Sequence, residues 1–307
     1  MKKITNARNI LIIFCLTVVV AIALRTYQLM FAIDYNTGFF IEGSVVVIIL
    51  QTLLVVSLAV QVLLVLLWKT PTEYRKTIRK DYSSLAVTSV VVAIMMFLQA
   101  IIGSFYTAMS ANPVAGVQAA DISKRFAIED FVAIGLLVMT GISFLYYAAS
   151  LFRENKKNLG LLLLFPIIFA CFHLMRTFMQ YTTIANISDN LFDIITLLCA
   201  TVFVYMFVRS EMGYGTQISE KMIIVSGIMT ATFGLLSALS KYIVIILSLI
   251  FPAMKVSAGA NMADIAKHVS AAYPNVAELA FSLFALILII KYLVGKMKQA
   301  TSEKRGI

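Results

Sequence analysis

The chain has 307 residues, 61% hydrophobic and 13% charged, with a formal net charge of +10. A soluble domain carries about 25% charged residues, so a fold of this size could not cover itself against water, and lipid must be part of its solvent. The basic excess sits in short segments between apolar runs and never interleaves with aromatics as a nucleic-acid surface would, which excludes nucleic acid as a partner.

A membrane-crossing helix needs about 20 mostly apolar residues. Eight segments qualify, at 9–30, 44–68, 84–109, 128–151, 159–181, 190–209, 221–251 and 275–295. The pattern predicts an all-α polytopic integral membrane protein of about eight transmembrane helices. The links are short and polar, so 1–307 reads as a single transmembrane domain. The first segment begins Met1-Lys2-Lys3 and runs to Ala21-Ile22-Ala23, the shape of a cleavable secretory signal. It then continues through Arg25-Thr26-Tyr27-Gln28, and retention as the first helix is the reading taken. Cleavage would leave seven helices in unchanged orientation.

With the N-terminus inside, the inner segments are 1–8, 69–83, 152–158, 210–220 and the tail from about 296. The inner side then holds 18 basic and 6 acidic residues, a balance of +12. The outer side holds 7 and 9, a balance of −2. Lys and Arg concentrate on the cytoplasmic side of membrane proteins, so both termini are expected to be cytoplasmic, in a bacterial plasma (inner) membrane.

An ionisable side chain at the centre of a membrane helix costs about 2.5–3.5 kcal/mol on insertion scales and therefore faces protein or water. In chain order, Arg25 and Gln28 lie near the outer end of the first helix and Gln51 about two turns into the second. Gln99 and Tyr106 are in the outer half of the third, and Glu129 and Asp130 open the fourth. His173, Arg176 and Gln180 are in the outer half of the fifth. Asp189 and Asp193 start the sixth, Lys241 lies outward of the middle of the seventh, and Glu278 is near the start of the eighth. The inner half shows little beyond Gln61 and Lys291. This one-sided polarity predicts a crevice open to the outside above a sealed, apolar inner half.

His173, Arg176 and Gln180 fall on one helical face, because residues three and four apart stack along a helix. Asp193 lies at similar depth on the next, antiparallel helix, so an Arg176–Asp193 ion pair is expected. It would either lock the hairpin or hold the guanidinium for an anionic ligand. Arg25 reads as an interfacial or structural residue. The seventh segment is longer than a span requires, so Lys241 is expected near water, with Gly227 or Gly234 marking a kink. The ligand-binding candidates are therefore His173, Arg176, Gln180, Asp193, Arg25 and Lys241. In the outer loop 252–274, Met262, Ile265, Val269 and Tyr273 recur at helical spacing, as in a short helix lying at the membrane surface, either merely structural or a cap over such a crevice.

Cys15, Cys171 and Cys199 lie in apolar runs without C-x-x-C spacing, and His173 and His268 are the only histidines. No disulfide framework, zinc site or cofactor is expected. No G-x-x-x-x-G-K-[ST] phosphate cradle and no H-E-x-x-H motif occurs, and no catalytic residue is assigned.

Arg25-Thr26-Tyr27 and Arg176-Thr177-Phe178 close the first and fifth helices 151 residues apart, which would fit a repeat of four helices over 1–151 and 152–307. The other helices do not match, and Gln51 has no partner in the sixth. The segments Arg25-Thr26-Tyr27-Gln28-Leu29 … Ile33-Asp34 … Thr37-Gly38-Phe39-Phe40 and Arg176-Thr177-Phe178 … Asn190-Leu191-Phe192-Asp193 resemble a family of uncharacterised multi-pass membrane proteins of Firmicute bacteria. That resemblance implies a bacterial plasma-membrane setting and no activity.

Three functions are compatible with these residues. The first is an outward-facing polar pocket that binds or transports a small anionic solute or a lipid headgroup. The second is a non-catalytic partner or sensor subunit assembling with another membrane protein. The third is a membrane enzyme acting on an extracytoplasmic lipid-linked substrate. Non-enzymatic handling of a solute or lipid is preferred.

Overall fold

The computed structural model describes residues 2–34, 39–41, 43–68, 82–110, 120–152, 159–181, 187–252, 265 and 276–305. Among them are eight helices long and apolar enough to cross a bilayer. They are α1 (Lys2–Phe31), α2 (Val45–Leu67), α3 (Tyr82–Ser110), α4 (Ala120–Phe152), α5 (Leu164–Tyr181), α6 (Ile187–Glu211), α7 and α8 (Val276–Arg305). Helix α7 is composite: Gln217–Gly234, a π-helical turn over Leu235–Leu239, then Ser240–Ile250. The chain is an all-α polytopic membrane protein.

Two sequence signals explain local breaks. Pro166 lacks an N–H and crowds the carbonyl four residues back. The helical turn Leu159–Leu162 accordingly separates from α5 at Leu163, and the orphaned Leu162 carbonyl lies 2.7 Å from Ser143 Oγ of α4. At the inner end, α6 closes through Gly213, whose φ of +92° suits glycine, with Gly213 N bonded to Ser210 O and Tyr214 N to Arg209 O. Thr216 then caps α7 by accepting from Ser219 N at 3.2 Å.

Helix α8 is the axis of the bundle. It packs on α1, α3, α6 and α7, and 61% of its span is buried against 22% of that of α2. The remaining helices form an arc around it in the order α3, α4, α5, α6, α7, α1, α2. Edge-on aromatic contacts knit the middle, with Phe284 of α8 centred 5.1 Å from Phe207 of α6 and 5.2 Å from Phe144 of α4. Buried hydroxyls such as Ser89, Thr196 and Thr230 donate to the carbonyl four residues back, which satisfies them without a partner helix.

Beyond α1 the chain forms a feature that periodicity did not suggest. Strand β1 (Ile33–Asp34) pairs antiparallel with β2 (Phe39–Phe40), in register Ile33 to Phe40 and Asp34 to Phe39. Ile33 joins Leu29, Met30, Val244 and Ile265 in a small apolar cluster. Ile265, from the outer loop 252–274, is fully buried there, so this one described residue of the expected surface helix does lie over the outer ends of α1 and α7. Met262, Val269 and Tyr273 lie outside the described residues.

Candidate functional site

The α1, α3, α5 and α7 C-terminal ends and the α4, α6 and α8 N-terminal ends meet at one end of the bundle, the end that the charge bias assigns to the outside. Of the sequence candidates, Arg25 and Lys241 are buried, at 1% and 5% exposure, so Lys241 does not lie near water as expected, and Arg25 fits the structural alternative rather than the interfacial one. Asp193 is buried with them, as is Glu278 at 3%. Four helices thus carry four ionisable side chains into a dry interior, and a charge taken from water needs a partner and hydrogen bonds to persist there.

The partners are specific. Lys241 Nζ stands 3.2 Å from Asp193 Oδ2, and Ser237 Oγ donates to Asp193 Oδ1. Ser237 sits within the π turn and Lys241 two residues beyond it, so the irregular stretch of α7 supplies both groups that face Asp193. Such turns recur at functional sites because they interrupt the regular ladder and re-aim side chains. The irregularity begins directly after Gly234, one of the two glycines expected to mark a kink. A Cβ at Gly234 would meet Ser282 Cβ of α8 at 2.9 Å, so glycine is what lets the two helices close here. Gly227 is likewise a close-packing position, against Ile289 and Phe203.

Arg25 is held twice. Its guanidinium donates to Gln28 Oε1 at 2.6 Å, one turn along α1, and lies 4.8 Å from the centroid of the Phe192 ring on α6. A desolvated guanidinium over an aromatic face is worth about 2 kcal/mol. Phe192 immediately precedes Asp193, so α1 reaches the same turn of α6 that α7 does.

On the α5 side, His173 Nε2 lies 3.7 Å from Glu278 Oε1, and its ring stacks on Phe169 at 5.5 Å with 13° between planes. Glu278 is also within electrostatic reach of Asp193 and Lys241. Gln99 of α3 accepts from Val276 N at 3.1 Å, covering one of the unpaired amides at the start of α8.

The expected Arg176–Asp193 pair does not form. Arg176 pairs with Asp130, at the outer end of the apolar span of α4, and Asp193 pairs with Lys241. The reason is the arc: α5 lies between α4 and α6, and Arg176 turns to the α4 side while Asp193 turns away toward α7. Asp130 and Arg176 stand at matched depth on antiparallel neighbours, so the depth map contained this pairing too. The structure therefore pairs Asp193 with Lys241, sets Arg25 over the neighbouring Phe192, links His173 to the pair through Glu278, and leaves Arg176 in a separate pair about a quarter exposed. The Gln180 side chain, like that of Tyr106, lies outside the described residues. Ser237, Phe192 and Glu278 were missing from the candidates. The sequence places Glu278 only by its depth, near the start of the eighth helix, and nothing in it distinguishes Ser237 from the bundle's other hydroxyls.

Two expectations about depth need adjustment. Gln51 is exposed on the outer face of α2 and does not join the network. The inner half is not purely apolar, since Gln61 of α2 donates to Thr17 of α1 at 3.4 Å and Glu211 and Glu220 are largely withdrawn from solvent near the inner end. The ion pairs His173–Glu278, Arg176–Asp130 and Lys241–Asp193 lie at the outer end. Among these residues no cluster of three metal-ligating side chains occurs.

No family model, curated protein or solved structure matches the chain.

Proposed function

We propose that this protein binds a small anion, a solute or a lipid headgroup, at the outer end of its bundle, and that it carries or senses that anion in a bacterial plasma membrane. The observation behind this reading is the convergence of Arg25, Lys241, Asp193 and Glu278 from four helices in a buried layer. Scaffolding does not require it, because a buried ion pair is often no more stabilising than apolar side chains of the same volume. Eight helices with aromatic packing already have the means to associate.

In this reading Asp193 is a resident counter-ion. It holds Lys241 in place when the site is empty and yields the ammonium to an incoming carboxylate or phosphate, while Arg25 stays aligned by Gln28 and Phe192. Arg176 and Asp130, about a quarter exposed, form the polar approach. Ligand binding raises stability by mass action, about 2.7 kcal/mol at one hundred times Kd. The test is thermal unfolding of the purified protein in lipid nanodiscs with inorganic phosphate, short mono- and dicarboxylates and glycerol phosphate. A saturable rise in Tm with one of these anions is expected. No rise with any of them, nor with phosphatidylglycerol in the disc, would return the network to scaffolding.

One observation favours a second reading, a subunit of a membrane complex. Helix α2 is the least buried span and presents Gln51 and Thr52 on its exposed face, where hydrogen-bonding groups would suit a neighbouring helix. A photo-crosslinker at position 51 that captures a stoichiometric membrane protein in cells would support it, and capture of lipid alone would dismiss it.

A further inference from the structure

We infer that Glu278 is a proton-binding site, filled from the outer side through His173, and that its proton and the anion bind together. The coupling rests on the anion reading above; the proton site itself does not.

Each helix around Glu278 brings one class of group to it. From α5 comes His173, from α6 Asp193 and from α7 Lys241. Helix α3 offers the neutral Gln99, engaged with the backbone of Val276. On α1, Arg25 is fixed to Gln28 and Phe192, and on α4, Asp130 is tied to Arg176. Two buried carboxylates, Asp193 and Glu278, therefore share the field of one ammonium, and Lys241 stands at Asp193. Like charges in a low dielectric do not both ionise readily. Asp193 is already engaged by Lys241 and Ser237, which leaves Glu278, faced by His173, as the carboxylate placed to receive a proton.

His173 is placed to deliver it. Its side chain is 20% exposed while that of Glu278 is 4% exposed, and the stack on Phe169 holds the ring with Nε2 toward the carboxylate. A proton from outer water adds to Nδ1, and the proton on Nε2 passes to Glu278, leaving a neutral imidazole and a neutral carboxylic acid. No electrons move. The 3.7 Å gap is longer than a direct hydrogen bond, so transfer runs through a small closing movement or one bridging water.

Charge then links proton to anion. With Glu278 ionised, Arg25 and Lys241 balance Asp193 and Glu278, and the layer is neutral. With Glu278 protonated the layer carries +1, which an anion neutralises. Proton and anion raise each other's affinity by the same factor. Over the window set by Glu278 the anion's affinity should rise about tenfold for each unit that pH falls.

Infrared difference spectroscopy of the whole protein in nanodiscs, titrated in pH, reads the site without any ligand. A carboxylic-acid carbonyl band should grow as pH falls, shift when glutamate is carbon-13 labelled, and vanish in Glu278→Gln. In Glu278→Asp it should return without the glutamate isotope shift, and His173→Ala should slow its growth after a pH jump. A band that persists in Glu278→Gln, or a wild-type protein with no titrating glutamate band, would overturn the proton site. If Glu278→Gln fails to fold, the isotope shift in wild type still decides between Glu and Asp. Titration at Glu278 without binding of any anion would sink the anion reading alone. Anion binding that is independent of pH would sink the coupling alone.

Discussion

Lys241 and Asp193 face each other across α7 and α6, with Nζ 3.2 Å from Oδ2 and both side chains nearly closed to solvent. Removing one member leaves the other buried and uncompensated, which costs about 3–5 kcal/mol, whereas replacing both is close to neutral. Asp193→Asn should therefore lower the unfolding midpoint sharply, and Asp193→Asn combined with Lys241→Met should recover most of the loss. Thermal or denaturant unfolding in nanodiscs measures the cycle. An additive double variant would mean the pair does not interact.

Arg25 is engaged through the plane of its guanidinium as well as its charge. A lysine keeps the charge but loses the flat face over Phe192 and the oriented donor to Gln28. Arg25→Lys should destabilise by about 1–2 kcal/mol. Phe192→Leu should have an effect of the same size, and adding it to Arg25→Lys should cost little more. Unfolding midpoints of the two single variants and the double variant check this.

Gly234 tests the close approach of α7 and α8. In Gly234→Ala the new methyl would press on Ser282, whose hydroxyl is already bonded to Glu278 O at 2.6 Å. Overpacking of this kind costs about 1–3 kcal/mol. Adding Ser282→Gly should restore part of the stability. Because Gly234 borders the π turn, Gly234→Ala should also weaken anion binding more than its effect on Tm alone would suggest.

The spans were legible because lipid imposes length and apolarity on each helix separately: all eight sequence segments match the apolar spans to within a few residues, while the helices α1, α4 and α8 themselves run seven to ten residues beyond those segments. The gathering of charge at one end was legible too, because the desolvation cost of a charge depends on depth and depth can be counted along a helix. Pairing could not be read the same way. Depth matches Arg176 with Asp193, Asp130 and Glu278 alike, and the choice depends on which helices are neighbours, which is decided by packing. The burial of Lys241 was hidden for a related reason: the length of α7 suggested a helix emerging into water, while Ile265 and the paired strands β1 and β2 build the protein outward at that point.

Sidedness follows from the charge bias alone and has its own test. Tyr214 is exposed in the turn between α6 and α7, on the side with the basic excess. In a background lacking Cys15, Cys171 and Cys199, Tyr214→Cys should react with a membrane-impermeant thiol reagent only after cells are permeabilised. Labelling of intact cells would invert the topology.

The most direct test of the anion site is equilibrium binding to the charge-neutral variant Asp193→Asn/Lys241→Met in nanodiscs, using whichever simple anion stabilises the wild type. The double variant should fold, with a midpoint near that of the wild type, and its affinity for that anion should fall at least tenfold. An equally stable variant that binds the anion as tightly as the wild type would contradict the anion site.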